Sequence, residues 1–229
     1  MNEKELRVGF VFTGSFCTYD KVFPALAACK ERFGEVIPIL SNFSAVTDTR
    51  FGTAAEFAEK MTEICGQKPW SSIPEVEPIG PQKLLDVLVI APCTGNTLGK
   101  MAAGITDTSA TMAAKSHLRN GRPVVLGIST NDGLAVSLRN LGDLNCRKNI
   151  YLVPFRQDNP ITKPNSLVAD MNQIPAAVAA AAQGKQLQPV LLGARIPLEQ
   201  PGSLTVIGRG WYNFGTKNEW DVEKETINI

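Results

Sequence analysis

Histidine is almost absent from this chain: among 229 residues only His117 carries an imidazole. That leaves little for a zinc site, which draws on histidine and cysteine together, and it narrows the acid–base chemistry open to the protein. The five cysteines (Cys17, Cys29, Cys65, Cys93 and Cys146) are odd in number, widely spaced and never arranged as CxxC. A disulfide framework is therefore not expected, and a reducing compartment is. No apolar run approaches the ~20 residues needed to cross a bilayer. No charge of one sign dominates either: 23 basic and 22 acidic residues leave a formal net charge of +1. They are mixed along the chain, with no basic stripe for nucleic acid or anionic lipid. The start, MNEKELRVGFVF, sets acids ahead of the apolar run and lacks a small-residue cleavage site, so no signal peptide is expected. The expected compartment is the cytoplasm.

What is present is ordinary globular material, 44% hydrophobic and 20% charged, enough for one generous domain with a sizeable core. The run Arg7–Phe12 reads as a buried strand, broken by Thr13, Gly14 and Ser15. Tyr19–Arg32 carries Val22, Leu26 and Ala27 at helical spacing, and Gly34 follows as a stop. Glu35–Leu40 is a second strand, Ala54–Ile64 a helix ended by Gly66, and residues 69–81 a proline-rich connection. Leu84–Ala91 (LLDVLVIA) is apolar on both faces, as in the middle of a parallel sheet, and Pro92 is expected to end it. Helices are expected over 96–104, 106–120 and 173–184, and further strands over 123–128 and 150–154. Strands alternating with helix-length segments predict a doubly wound, mostly parallel α/β sheet with helices on both faces, a flavodoxin-like or Rossmann-like three-layer sandwich. Such sheets bind ligands beyond the carboxyl ends of their strands. The domain is taken as residues 1–198. Residues 199–229 form an extension without assigned function: an edge hairpin, an arm for a partner, or an appended segment.

Four strand-end loops can carry chemistry. The first, FTGSFCTYDKV (12–22), places a glycine and a hydroxyl where backbone N–H groups can meet an anion. It is not GxGxxG, and it serves equally as a plain helix cap. The second, from Ala91 to Lys115, groups Thr94, Asn96 and Thr97 around Gly95, with Lys100 one turn on. Uncharged amides and hydroxyls suit a heterocycle of alternating donors and acceptors. The third, GISTNDGL (127–134), clusters Ser129, Thr130, Asn131 and Asp132. The fourth, PFRQDNPITKPNS (154–166), holds Arg156, Asp158 and Lys163. It is either a rigid loop that grips a dicarboxylate or a solvated surface loop. His117, mid-helix and far from any strand end, is expected at the surface or partly buried, and Cys93 has no neighbouring base to activate it.

Together, TGS after the first strand and APxTGNTxxKMAxGITD after the third resemble the flavoprotein superfamily that includes the flavin-containing cysteine decarboxylases. That resemblance implies FMN, with its phosphate at Gly14 and Ser15, its ring near Thr94, Asn96 and Thr97, and Ser41 as a further contact. The strings FTGSFCTYDKVFP, DTRFG, IAPCTGNTLGKMAAGITD, NGRPVVLGISTNDGL and KNIYLVPFRQDNPITKPNS are similar to the dipicolinate synthase B-subunit family, from about Arg7 to Val190. This implies a partner, the NAD(P)-binding dipicolinate synthase A subunit, and an oxidoreductase that converts a dihydrodipicolinate-type intermediate to pyridine-2,6-dicarboxylate. It also implies a setting, the mother cell of a sporulating bacterium, and a homo-oligomer.

The decarboxylase relatives carry a histidine after the second strand and read PxMN where this chain reads STND. Residues 41–64 hold no histidine, and Asn131 keeps the motif's asparagine. Decarboxylation therefore loses ground to oxidation. The substrate carboxylates are expected to meet Arg50, Asn131, Arg156 and Lys163. The hydride acceptor is either FMN on this chain or a nicotinamide on the A subunit. The alternatives are a non-catalytic, substrate-presenting partner and an FMN-dependent decarboxylase or prenyltransferase.

Overall fold

A computed structural model describes residues 2–193. The expected extension, 199–229, and the boundary at 198 lie outside the described residues. The order is β1 (Arg7–Phe12), α1 (Tyr19–Arg32), β2 (Glu35–Leu40), α2 (Ala54–Cys65), α3 (Ile73–Val76), β3 (Val87–Cys93), α4 (Gly95–Ala102), α5 (Ser109–Leu118), β4 (Val124–Thr130), α6 (Val136–Asn145), β5 (Ile150–Leu152), β6 (Phe155–Asn159), β7 (Lys163–Ala169) and α7 (Ile174–Ala181). The sheet runs β2-β1-β3-β4-β7-β6, with β5 also pairing β4. Pairs among β1–β5 are parallel. The last two strands are antiparallel additions. The sheet is thus the mostly parallel α/β arrangement read from the strand–helix alternation.

Burial explains that alternation. Every residue of β3 is buried, as a central strand covered on both faces requires. In α2 the buried face is Ala54, Phe57, Met61 and Cys65. The helix starts at Thr53, whose hydroxyl accepts from the Glu56 N–H while the Glu56 carboxylate accepts from the Thr53 N–H at 2.7 Å, a reciprocal cap. It stops at Gly66, whose left-handed φ of 77° suits a residue without a Cβ. At the amino ends of the strands Asp86 bridges Arg7 (3.2 Å) and Arg122 (3.0 Å), tying β1, β3 and β4 together.

Several expectations change. Pro92 does not end β3: the strand continues to Cys93 through a register shift after Ile90, and the Ala91–Pro92 peptide is cis. The loop expected over 154–166 is the β6–β7 hairpin. Its polar strands carry no apolar alternation, and its turn is closed by the Asn159 side chain accepting from the N–H groups of Ile161 (3.0 Å) and Thr162 (2.9 Å). The unexpected α6 hides its period, because Val136 and Leu138 face solvent and only Ser137, Leu141 and Leu144 are buried. His117 is fully buried, neither at the surface nor partly buried as expected. Its Nε2 donates to the Pro123 carbonyl (3.1 Å) and its Nδ1 has no partner among the described residues.

Two strand ends are joined by one buried hydroxyl. Thr13 Oγ1 donates to the Pro92 carbonyl (2.6 Å) and accepts from the Thr94 N–H (3.2 Å). Tyr19, itself buried, donates to the Thr13 carbonyl at 3.2 Å and packs edge-on against Phe12 and Phe57. This aromatic packing sets the path of the loop that leaves β1.

Two outcomes are expected. Thr13→Val keeps the shape but strands a buried carbonyl and a part-buried N–H, so it should cost roughly 2–3 kcal/mol, whereas Thr13→Ser should cost far less. Urea denaturation measures both, and equal losses would contradict the role given to the hydroxyl. Burial, then the Arg122 charge, pull the His117 pKa down to about 4 from 6.5. The folded protein thus holds it neutral while the unfolded chain binds a proton below 6.5. Stability should therefore be fullest above that pH and fall by roughly 2–3 kcal/mol as pH drops toward 4. His117→Gln should remove that pH-dependent component, and an unchanged slope would refute it.

Candidate functional site

A cavity of about 630 Å³ opens at the carboxyl ends of β1, β3 and β4, a size within the usual range for ligand pockets. It lies where strand order reverses: from β1 the chain goes to β2 on one side, then crosses to β3 on the other. The loops that leave the two strands diverge there and leave a crevice between them.

One end is a triangle of hydroxyls. Ser129 Oγ, at the end of β4, lies 2.9 Å from Ser15 Oγ and 2.7 Å from Thr18 Oγ1, and those two are 3.1 Å apart. Each hydroxyl has one proton and two lone pairs, so the triangle can rearrange to donate outward to an anion. Gly14 lies beside it, with the Phe43 ring 3.2 Å from where a Cβ would stand, and Lys21 adds a cation to the lining.

A second part of the lining is the start of α4 and the loop after β4. Thr94 caps α4, its hydroxyl accepting from the Thr97 N–H at 3.2 Å. Gly95 must be a glycine here: a Cβ would stand 2.6 Å from Asp132 Oδ1 and Ser137 Oγ, and 2.7 Å from Thr130 Oγ1. That crowding arises because Thr130 and Ser137 both donate to Asp132 Oδ1, Ser137 at 2.9 Å. Asn96 and Asn131 add two amides to the same lining. The β6–β7 hairpin forms the outer wall, bringing Asp158, Lys163 and Ser166. There the Asp158 carboxylate, bonded at 2.8 Å, raises the Lys163 ammonium above its ordinary pKa.

Of the residues expected to bind the cofactor or the substrate, the fold brings Gly14, Ser15, Thr94, Asn96, Asn131 and Lys163 to this one cavity, together with Gly95, Ser129, Thr130, Asp132 and Asp158 of the loops read as able to carry chemistry. The remaining expectations fall outside its lining. Ser41 is buried and bonded to Ser44 Oγ at 2.8 Å. Thr97 is buried behind Thr94, their hydroxyls 3.0 Å apart. Arg156 turns to Asp170 at 3.3 Å. Arg50 sits over the Phe51 ring (4.9 Å), between lining residues Thr49 and Phe51. Lys100, expected to share the face of Asn96, pairs with Asp107 at 2.9 Å. Cys93 is fully buried and its thiol pKa is pushed up by burial. Thr18 and Lys21 were not anticipated, because a short 3-10 turn over Phe16–Thr18 precedes α1 and carries the first of them into the crevice. Among the described residues, no group of three or more His, Cys, Asp or Glu side chains is placed to hold a metal.

The donor set fits a phosphorylated heterocycle: hydroxyls and a cation at one end, and uncharged amides and hydroxyls along the wall. Residues 1–182 match the flavoprotein family. The chain is 46% identical over 189 residues to the dipicolinate synthase B subunit of Bacillus subtilis (strain 168), covering 82% of this chain and 94% of that protein. The crystal structure of the dipicolinate synthase B subunit from Bacillus halodurans C superposes with a TM-score of 0.77 at 46% identity, over 84% of this chain and 99% of that one. The FMN-dependent cysteine decarboxylase SpaF shares the fold, with a TM-score of 0.57 at 20% identity over 79% of this chain and 98% of its own. With the family matched over most of its length, the chain belongs to the flavoproteins.

Proposed function

We propose that the chain is the B subunit of a dipicolinate synthase and that its strand-end cavity holds FMN. In this reading it works with an NAD(P)-binding A subunit to oxidise a dihydropyridine-2,6-dicarboxylate. The observation that carries the reading is the convergence of Ser15, Thr18 and Ser129 at one end of the cavity and Thr94, Asn96 and Asn131 along its wall. It is supported by the 46% identity to a dipicolinate synthase B subunit over most of both chains.

Gly14, Ser15, Thr18 and Ser129 would take the phosphate, with Lys21 offsetting its charge. Asn96, Asn131 and Thr94 would meet the ring edge, while buried Thr97 and Ser41 brace the loops behind. Bound FMN supplies a two-electron acceptor. This chain's own residues bind and orient the substrate and exclude water, which suits a reaction driven by aromatisation. Lys163 reaches the substrate carboxylates once they compete with Asp158 for its ammonium. Arg50, at the edge, adds long-range attraction for the dianion. Arg156 keeps the hairpin seated through Asp170. The only imidazole is buried on α5, so no histidine takes part. This separates the reaction from any that needs a histidine base in the pocket, as expected for the decarboxylase relatives.

The protein incubated with FMN and freed of excess should carry one flavin per chain, read by absorbance; a colourless product would end this reading. Ser15→Asp sets a negative charge against the phosphate and should weaken FMN binding by about tenfold or more, yet leave riboflavin, which lacks the phosphate, nearly unaffected. Equal losses for both ligands would place the phosphate elsewhere.

A further inference from the structure

Asp132 is the carboxylate that the cavity holds in place without a cation. Its Oδ1 accepts from both Thr130 and Ser137, which fixes the plane of the group, and among the described residues Oδ2 accepts no hydrogen bond. The Gly95 backbone passes so close that no side chain fits between α4 and this carboxylate. The other titratable groups of the lining are placed differently. Asp158 is bound to Lys163, while Lys21 lies in α1 and Cys17 is exposed in the loop after β1. On the elements packed against Asp132, Lys100 of α4 pairs with Asp107 and Asp143 of α6 with Arg147, and Arg139 of α6 is not part of the lining. A carboxylate anchored through one oxygen, in a lining that also carries Asn96 and Asn131, has the form of a proton acceptor.

We propose that Asp132 is the catalytic residue that takes the proton released when the dihydropyridine ring becomes aromatic. This rests on the reading of the cavity as the site of a flavin and a dihydropyridine-2,6-dicarboxylate. Aromatisation removes a hydride from one ring carbon, which a bound flavin would accept, and a proton from the neighbouring ring atom, which passes to Oδ2 of Asp132. The electron pair left behind by the proton becomes the last double bond of the ring. Asp132 is then neutral beside the dianionic product, and its new O–H can donate to a product oxygen or to the ring nitrogen.

The test compares the wild-type protein with Asp132→Asn, which keeps both anchoring hydrogen bonds, after loading with FMN. The variant should hold one flavin per chain and bind pyridine-2,6-dicarboxylate at least as tightly as wild type, because one negative charge beside the dianion is gone. Mixed anaerobically with a dihydropyridine-2,6-dicarboxylate, it should bleach its flavin about a hundredfold or more slowly than wild type, and Asp132→Glu should recover part of that loss. Bleaching at the wild-type rate by a variant of full flavin content would overturn the role of Asp132 and leave the ligand assignment standing, as would product binding that the variant weakens. Failure of the flavin-loaded wild-type protein to bind the dicarboxylate at all would remove the substrate class and this inference together.

Discussion

Thr13 sits where β1 and β3 part, and its hydroxyl satisfies a carbonyl of one strand's neighbour and the first N–H of the loop that follows. Parallel strands fan apart at a switch point because their crossovers leave toward opposite sides. Backbone groups at the lip of such a crevice have no ladder partner and would be left bare. Satisfying two of them with one buried side chain holds the crevice open at a fixed width. Everything that lines the cavity is referred to that joint: Gly14 and Ser15 follow it on one side, Thr94, Gly95 and Asn96 on the other. Tyr19 fixes the same point from below, by its hydrogen bond to the Thr13 carbonyl and its packing on Phe57.

The antiparallel hairpin gives this crevice a wall that a purely parallel sheet would lack. The first half of β4 pairs with β5, and its last two residues, Ser129 and Thr130, pair with Val168 and Leu167 of β7, respectively. Ser129 therefore donates its backbone to the wall and its side chain to the hydroxyl triangle. The charges the hairpin adds are arranged to be inexpensive: Asp158 and Lys163 neutralise one another at the rim, where solvent still reaches them and a pair contributes little to stability. A pair so placed can exchange partners without uncovering a buried charge, which is what the proposed binding of a dianion would require.

Much of this was legible in residue order, and the parts that were not share a cause. The apolar strands β1 to β4 and the stop at Gly66 follow from burial on both faces and from the backbone freedom of glycine, whereas Gly34 is a glycine because a Cβ there would run into the Lys4 carbonyl. The strand-end rule then brings the loops at 13–18, 94–97 and 129–132 to one edge before any coordinates are known. What escapes is structure carried by polar residues. The β6–β7 hairpin is held by an asparagine-closed turn and by pairing with β4, neither of which leaves a period in the sequence. The α6 helix points its valine and one leucine outward, so its periodicity points to the wrong face. Rotamer-level choices escape as well. Nothing in the order of residues decides that Arg156 turns to Asp170 while Lys163 lines the cavity, or that Thr97 hides behind Thr94.

His117 shows the same limit from the opposite direction. The only imidazole of a chain invites a catalytic role, and its position in the middle of a helix argues against one without saying where the ring goes. The structure buries it among α5, Pro123 and the Arg7–Asp86–Arg122 cluster at the amino ends of the strands, while the cavity lies beyond their carboxyl ends. A neutral ring donating one hydrogen bond and stripped of water is stable only uncharged, so it cannot shuttle protons near neutral pH. The proton transfer proposed for the cavity would then fall to carboxylates, thiols or amines, and among these Asp132 is anchored to Thr130 at the end of β4 and to Ser137 in α6. The charged cluster at the strand starts and the cavity at the strand ends lie at opposite ends of the same sheet, which lets a substitution in one be read apart from the other.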